Sequence, residues 1–202
     1  MYLVVSNNQA LVIDPCVNEE ALYILRDKGV SEVLVLPTHE HYDHISGINW
    51  LRSNFKCNVI ASEQCSKNMM DPKRNGSVHF KTLFLFAEDE IKAKISAVNI
   101  QPYSCVTDEV FNEYRCFTWQ GHKVEIRESP GHSKGSVCIL IDKKIIFTGD
   151  SLIKGRPTIT RLPGGSKKEF FEITLPFLRS VPESVMVFPG HGESGYMHEL
   201  CI

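Results

Sequence analysis

Short apolar runs broken by turn residues dominate the chain. Leu3-Val4-Val5 and Ala10-Leu11-Val12-Ile13 flank Ser6-Asn7-Asn8-Gln9, and an Asn-Asn centre between two β-rich runs predicts a hairpin, because Asn tolerates positive φ. Asn18-Glu19-Glu20 then caps a helix through about Lys28, with early carboxylates that suit the helix dipole and Gly29 as its stop. Val33-Leu34-Val35-Leu36 reads as a buried strand, ended by Pro37, which cannot donate to a ladder. Further on, Ile45, Ile48, Leu51 and Phe55 recur at helical spacing, so Asp43-His44 sits at a helix N-terminus, and Asn58-Val59-Ile60-Ala61 is another strand.

From Ser62 to Arg115 the periodicity weakens. Glu63–Met70 has helical character, Asp71-Pro72-Lys73-Arg74-Asn75-Gly76 is a turn-rich loop, His79–Phe86 is apolar and aromatic, and Glu88–Ala97 fits helix or strand. The stretch reads as an elaboration on the fold. It is either a satellite cluster or a lid whose Phe80, Phe84, Phe86 and Tyr103 help roof a pocket. Regular strands then return. Lys123–Arg127 alternates apolar and polar positions after the turn Gln120-Gly121-His122, and Val137–Ile141 and Lys144–Phe147 form a hairpin about Asp142-Lys143. Ser166-Lys167-Lys168-Glu169 matches a capping box ahead of Phe170, Ile173, Leu175 and Leu178, and Pro176 kinks that helix or starts a new one. The last buried strand, Val185–Phe188, ends in Pro189-Gly190-His191.

Chemistry-bearing residues cluster after these strands. Directly behind Val33–Leu36 stands Thr38-His39-Glu40-His41-Tyr42-Asp43-His44. So many titratable groups on one loop suit a metal better than a core, where each unpaired group costs desolvation energy. Three later strand ends repeat the arrangement: Pro130-Gly131-His132, Thr148-Gly149-Asp150 and Pro189-Gly190-His191. Singly, each late residue is an ordinary turn position. Jointly they predict a rigid, open metal site built from loops at one sheet edge, with each glycine permitting the tight turn that aims its neighbour inward.

Other signals carry less. Gly131-His132-Ser133-Lys134-Gly135 has the spacing of a nucleophile elbow, but that motif requires a following helix, and here a strand follows. His79, His122 and His198 read as surface residues. Lys134, Lys154, Arg156 and Arg161 flank the ligand loops, where they either pair with a substrate carboxylate or are simply solvated.

Composition then narrows the class. A chain of 202 residues predicts a single domain over residues 1–202, and 22 Lys+Arg against 24 Asp+Glu give no electrostatic case for nucleic acid or an anionic membrane. No apolar run approaches the ~20 residues of a membrane span, and the N-terminus lacks a basic signal-peptide region. Seven cysteines, without a Cys-x-x-Cys pair, favour reduced thiols and a cytoplasmic location.

On His39, His41, Asp43, His44, His132, Asp150 and His191 the chain resembles metallo-β-lactamase-fold metallohydrolases of the glyoxalase II-like (hydroxyacylglutathione hydrolase-like) branch. The resemblance runs from Val12 to about Glu193, interrupted by Ser62–Arg115. It implies an α/β fold, a four-layer αββα sandwich, with two metals at one edge: His39, His41 and His132 on the first, Asp43, His44 and His191 on the second, and Asp150 bridging. Asp43 and Asp150 are the catalytic carboxylates in this scheme. Two cations ~3.5–4 Å apart need a shared anionic ligand, and a bridging hydroxide then attacks a small-molecule ester, thioester or related acyl carbonyl. Two Zn²⁺ suit the His/Asp set best, with Fe or Mn as alternatives. By the same resemblance Asp14 supports a ligand from behind.

The sequence departs from its relatives in three places. Cys16 replaces the glycine often found after Asp-Pro. Relatives usually have strand residues ahead of Leu3–Val5, so an open edge or a homodimer is expected. Only Gly192–Ile202 follow His191, where glyoxalase II has a helical glutathione-binding domain, so glutathione specificity is not implied. A mononuclear iron persulfide dioxygenase shares the motif and is the alternative. A lactonase or β-lactamase ranks lower, because Asp150 stands where β-lactamases place Cys or Ser.

Overall fold

The computed structural model describes residues 1–98 and 101–200. The first hairpin closes at the Asn pair: β1 (Tyr2–Ser6) and β2 (Gln9–Ile13) turn at Asn7, whose φ is 54°. Helix α1 (Glu19–Asp27) starts on the Asn18 side chain, which accepts the Ala21 N–H. Strand β3 (Glu32–Leu36) leads into the histidine loop, followed by α2 (Tyr42–Ile45), α3 (Ile48–Asn54), β4 (Lys56–Ser62) and α4 (Glu63–Met69).

The 62–115 stretch is only partly an elaboration. A 3₁₀ turn, Ser77–Phe84, and α5 (Asp89–Ala97) do stand outside the sheets, and the helical alternative for Glu88–Ala97 is the one adopted. The end of the stretch, however, rejoins the scaffold as β5 (Glu109–Phe111) beside β4 and β6 (Tyr114–Trp119). Both are edge strands, paired on one side and largely solvated, so neither carries the apolar run that marks a central strand. The remaining elements are β7 (His122–Glu128), β8 (Val137–Ile141), β9 (Ile145–Gly149), α6 (Lys167–Glu169), α7 (Leu175–Ser180), β10 (Met186–Pro189) and β11 (Gly195–Tyr196). Ser166 caps α6 as its capping box predicts, and a π turn, Phe170–Thr174, joins α6 to α7, with Pro176 in the first turn of α7.

The strands form two sheets, ordered β1-β2-β3-β4-β5 and β11-β10-β9-β8-β7-β6. Along β2, Ala10 and Val12 pack with Leu25, Ile48 and Leu51 on the helical side, while Leu11 and Ile13 meet Ile126 and Ile139 of the other sheet. Beyond the second sheet, Cys138, Ile146 and Val187 pack on Leu178 of α7. The layers are therefore helix, sheet, sheet, helix, and the central strands read as unbroken apolar runs because both faces are covered.

Strand direction positions the ligand loops. β2 and β3 run parallel; β7 and β9 are each antiparallel to β8, and β10 is parallel to β9. The carboxyl ends of β2 and β3, and those of β7, β9 and β10, thus emerge together at one edge of each sheet. The Val137 N–H, donated to the Thr38 carbonyl at 2.8 Å, joins the two edges. Among the described residues no helix is long and apolar enough to cross a membrane. Six cysteines are free thiols, and Cys201 lies outside the described residues.

Candidate metal centre

All seven expected residues meet at this edge. His39 Nε2 and His132 Nε2 each lie 3.0 Å from His41 Nδ1. His44 Nε2 lies 3.6 Å from Asp43 Oδ2, and His191 Nε2 3.1 Å from the same oxygen. Asp150 stands between the two groups: its Oδ2 is 3.6 Å from His132 Nε2 and 3.7 Å from His191 Nε2, and its Oδ1 is 3.6 Å from His44 Nε2. Donor atoms around a tetrahedral ion with bonds of about 2.0–2.1 Å stand roughly 3.3–3.4 Å apart, and these separations bracket that value.

Two atoms test the fit further. His44 Nε2 and Asp150 Oδ1 are buried, face one another and have no hydrogen-bond partner among the described residues. An orphaned buried polar atom costs about 1–3 kcal/mol, and a cation coordinated by both removes the deficit. His39, His41 and His132 could hold one ion, and Asp43, His44 and His191 a second, with Asp150 in reach of both.

Hydrogen bonds behind the rings aim their lone pairs inward. His132 Nδ1 donates to the Ile159 carbonyl at 2.9 Å, and His44 Nδ1 donates to Asp14 Oδ2 at 2.9 Å, so Nε2 of each ring faces the cluster and carries the lone pair whenever the ring is neutral. Thr38 gives its hydroxyl proton to Asp14 Oδ2 at 2.8 Å, so it accepts from His39 Nδ1 at 3.1 Å, and His39 Nε2 is likewise free. Asp14, buried at the end of β2 with φ 50°, also takes the Thr38 N–H at 2.6 Å. Its supporting role is thus visible in the structure.

Burial pushes the His41 and His132 imidazoles down to about 4 and holds His39 well below its ordinary value, so all three rings are neutral. His44 goes the other way: burial opposes its charge, but the Asp14, Asp43 and Asp150 carboxylates outweigh that and raise it to about 9. For Asp43, burial is outweighed by the His191 hydrogen bond and the nearby His44 charge, which bring its carboxyl down to about 2. The Asp43 hydrogen bond in turn raises His191.

Two glycines make the convergence sterically feasible. A Cβ at Gly149, where φ is 50°, would lie 2.7 Å from Thr38 Cβ, so the meeting of the two sheet edges depends on its absence. Gly190 has an ordinary backbone, contrary to the expectation of a turn-forming role. It is needed for space, since its Cβ would collide with Asp150 Oδ1 and lie 2.6 Å from His44 Cε1.

A family description for the Metallo-beta-lactamase superfamily matches residues 1–191. The chain belongs to the metallo-β-lactamase superfamily. This membership supports an enzyme of the metallo-hydrolase kind that binds divalent metal. Within the superfamily, the probable metallo-hydrolase YqgX of Bacillus subtilis (strain 168) is 27% identical over 195 residues, covering 95% of this chain and 83% of the relative. A hydroxyacylglutathione hydrolase of Prochlorococcus marinus (strain MIT 9211) is 26% identical over 194 residues, covering 92% of this chain but 62% of the relative. Among solved structures, the BLEG-1 B3 metallo-β-lactamase aligns with a TM-score of 0.75 at 24% identity, over 98% of this chain and 88% of that one. TTHA1623 in a di-iron-bound form aligns at 0.73 with 21% identity, over 98% and 89%. These two structures establish likeness of fold.

Relative to the superfamily motif, Glu40 is a residue that sequence reasoning passed over. Its buried carboxylate accepts from Asn68 Nδ2 and Ser133 Oγ, each at 2.8 Å, and so ties the histidine loop to α4 and to the His132 loop. Ser133, the middle of the elbow-like motif, is buried in that network. A cavity of about 400 Å³ opens onto the His/Asp cluster, and His41, Asp43, His132 and Asp150 are among its lining residues. The aromatic roof is not formed: Phe86 is fully exposed, Phe80 packs on Tyr42, and none of Phe80, Phe84, Phe86 or Tyr103 lines the cavity. Nor do the four flanking cations: Lys154 pairs with Glu199 at 3.1 Å, and Lys134, Arg156 and Arg161 lie off the cavity wall.

Proposed function

We propose that the protein is a dinuclear hydrolase of the glyoxalase II-like branch, cleaving an ester, thioester or related acyl bond of a small molecule in the cytoplasm. The position of Asp150, within 3.7 Å of donor nitrogens of both sets, carries this reading, since a carboxylate shared between two donor sets suits a pair of ions. His39, His41 and His132 would hold the first ion and Asp43, His44 and His191 the second, with Asp150 within reach of both. When bound, such ions supply a water acidified towards neutral pH and a Lewis acid for the acyl oxygen. The chain's own work is to keep three rings neutral, to set their lone pairs through Asp14, Thr38 and the Ile159 carbonyl, and to place Asp43 and Asp150 as the negative charges of the site.

Zinc is proposed for both positions because a mixed imidazole and carboxylate set suits it, as it also suits Fe and Mn. The iron persulfide dioxygenase alternative needs only the first set and an Asp. The equally close spacing of Asp43, His44 and His191 favours the dinuclear reading. Protein purified without added metal should carry about two metal ions per chain, and it should hydrolyse members of a panel of thioesters, lactones and β-lactams. One iron per chain with oxygen consumption and no hydrolysis would refute it. We also propose a homodimer through β1, whose outer edge has no strand partner among the described residues. Sedimentation velocity showing only monomer at micromolar concentration would remove it.

A further inference from the structure

The lining of the cavity is chemically mixed. Ile159, Leu162 and Pro163 contribute apolar surface, and Lys73, Arg74 and His79 contribute nitrogen donors. These three belong to the turn-rich loop and the 3₁₀ turn between α4 and α5, far in sequence from every ligand strand except through the fold. The loop is anchored against the histidine motif. The Tyr42 N–H donates to the Asn75 carbonyl at 2.8 Å, and the Phe80 ring packs edge-on against Tyr42. The buried Asn75 amide donates to the Tyr103 carbonyl at 2.8 Å and the Met69 carbonyl at 3.2 Å. The backbone that carries these residues is therefore anchored beside the histidine loop.

The donors of Lys73, Arg74 and His79 are not consumed within the protein. Among the described residues the Lys73 ammonium and the His79 ring pair with no side chain. Arg74 is steadied by Asp71 at 3.6 Å and by Asn68 Oδ1 at 3.3 Å, which leaves most of its donors unused. Among the described residues Asp71 is the only acidic group paired with this trio, while Asp43 and Asp150 line the same cavity at the metal cluster. A compact cavity lined by both basic donors and apolar side chains matches a molecule with an anionic end and a hydrocarbon part. At about 400 Å³ the space suits a small metabolite-sized ligand.

Building on the hydrolase reading above, we infer that Lys73, Arg74 and His79 form an anion-recognition wall, so the substrate is an acyl compound with a carboxylate or phosphate set apart from the scissile bond. Both anions offer oxygens to guanidinium and ammonium donors in the same way. The three residues would be positioning and specificity groups.

The test uses the metal-loaded full chain and two matched thioester series, one varying the thiol half and one the acyl half, each ending in a carboxamide, a carboxylate or a phosphate. In at least one series kcat/KM should favour an anionic member over the carboxamide by at least about tenfold, the worth of a charge-assisted hydrogen bond. Which anion leads identifies the source. Lys73→Gln with Arg74→Gln should collapse that ratio. Lys73→Glu with Arg74→Glu should turn the preference towards a trimethylammonium-ended thioester, a gain that a misfolded variant cannot show. A ratio near one in the parent, or one unchanged in both variants, overturns the inference while leaving the hydrolase standing. If no thioester, lactone or β-lactam is cleaved, the hydrolase reading fails by itself. Calorimetric binding of uncleavable thioethers with the same end groups then decides the wall's role, and equal affinities overturn it.

Discussion

Replacing Asp14 by Asn tests whether the hydrogen bonds behind the cluster set its metal affinity. The substitution keeps size and tolerance of φ 50°. The carboxylate accepts three bonds, from the Thr38 N–H at 2.6 Å, the Thr38 hydroxyl at 2.8 Å and His44 Nδ1 at 2.9 Å. A carboxamide has one acceptor oxygen. If that oxygen keeps the Thr38 N–H, the amide nitrogen faces His44 Nδ1 and requires a lone pair there. The ring proton then moves to Nε2, the atom 3.6 Å from both Asp43 Oδ2 and Asp150 Oδ1, and His44 is lost as a donor.

Losing a hydrogen bond between a buried imidazole and a carboxylate costs about 1.5–3 kcal/mol. Loss of the partner that orients a metal-binding histidine costs about 10–100-fold in affinity, and each tenfold is about 1.4 kcal/mol, so the two scales agree. Chelator competition should therefore show one of two zinc ions weakened by about 10–100-fold. Nitrogen-15 NMR should show His44 protonated at Nε2. The metal-free protein gives a second arm. His44 is raised from 6.5 to about 9, so its ion pair stabilises the fold fully below pH 6.5 and is lost as pH rises through about 9. That decline is worth roughly 3 kcal/mol in the parent and should largely vanish on Asp14→Asn. Unchanged affinity for both ions, with His44 still carrying its Nδ1 proton, would refute the reasoning.

Three further outcomes follow from the same geometry. Asp150→Ala should abolish turnover and lower metal content while circular dichroism stays unchanged, because it removes a donor and no core packing; full metal occupancy with activity would contradict its role. Gly190→Ala should cost about 1–3 kcal/mol in thermal unfolding and weaken metal binding, since the new Cβ enters the space of Asp150 and His44; a parent-like variant would show that the edge can relax. Zinc binding to the metal-free protein at pH 7 should release at least one proton, because His44 is charged below about 9 and must be neutral to bind; calorimetry in buffers of different ionisation enthalpy measures this, and zero release would be decisive against it.

Local pattern was enough wherever neighbours in sequence do the work. Asn7 closes the first hairpin, Asn18 and Ser166 cap their helices, and each ligand follows a strand whose apolar run announces it. Even the identity of the seven cluster residues was legible, because His and Asp side chains repeated just after strand ends stand out from ordinary turn residues. The edge strands β5 and β6 were not, since a strand covered on one side has no long apolar run.

What only the tertiary structure decided involves residues far apart in the chain. Asp150 meets both nitrogen sets because β7, β9 and β10 end at the same edge, and Gly190 is a glycine because Asp150 and His44 occupy the room of its side chain. Glu40 earns its burial from Asn68 and Ser133, and Lys73 reaches the cavity because Asn75 is bonded to Tyr42. Periodicity reports which face of an element is covered; it holds no record of what covers it, and charge placement across a cavity depends on that alone.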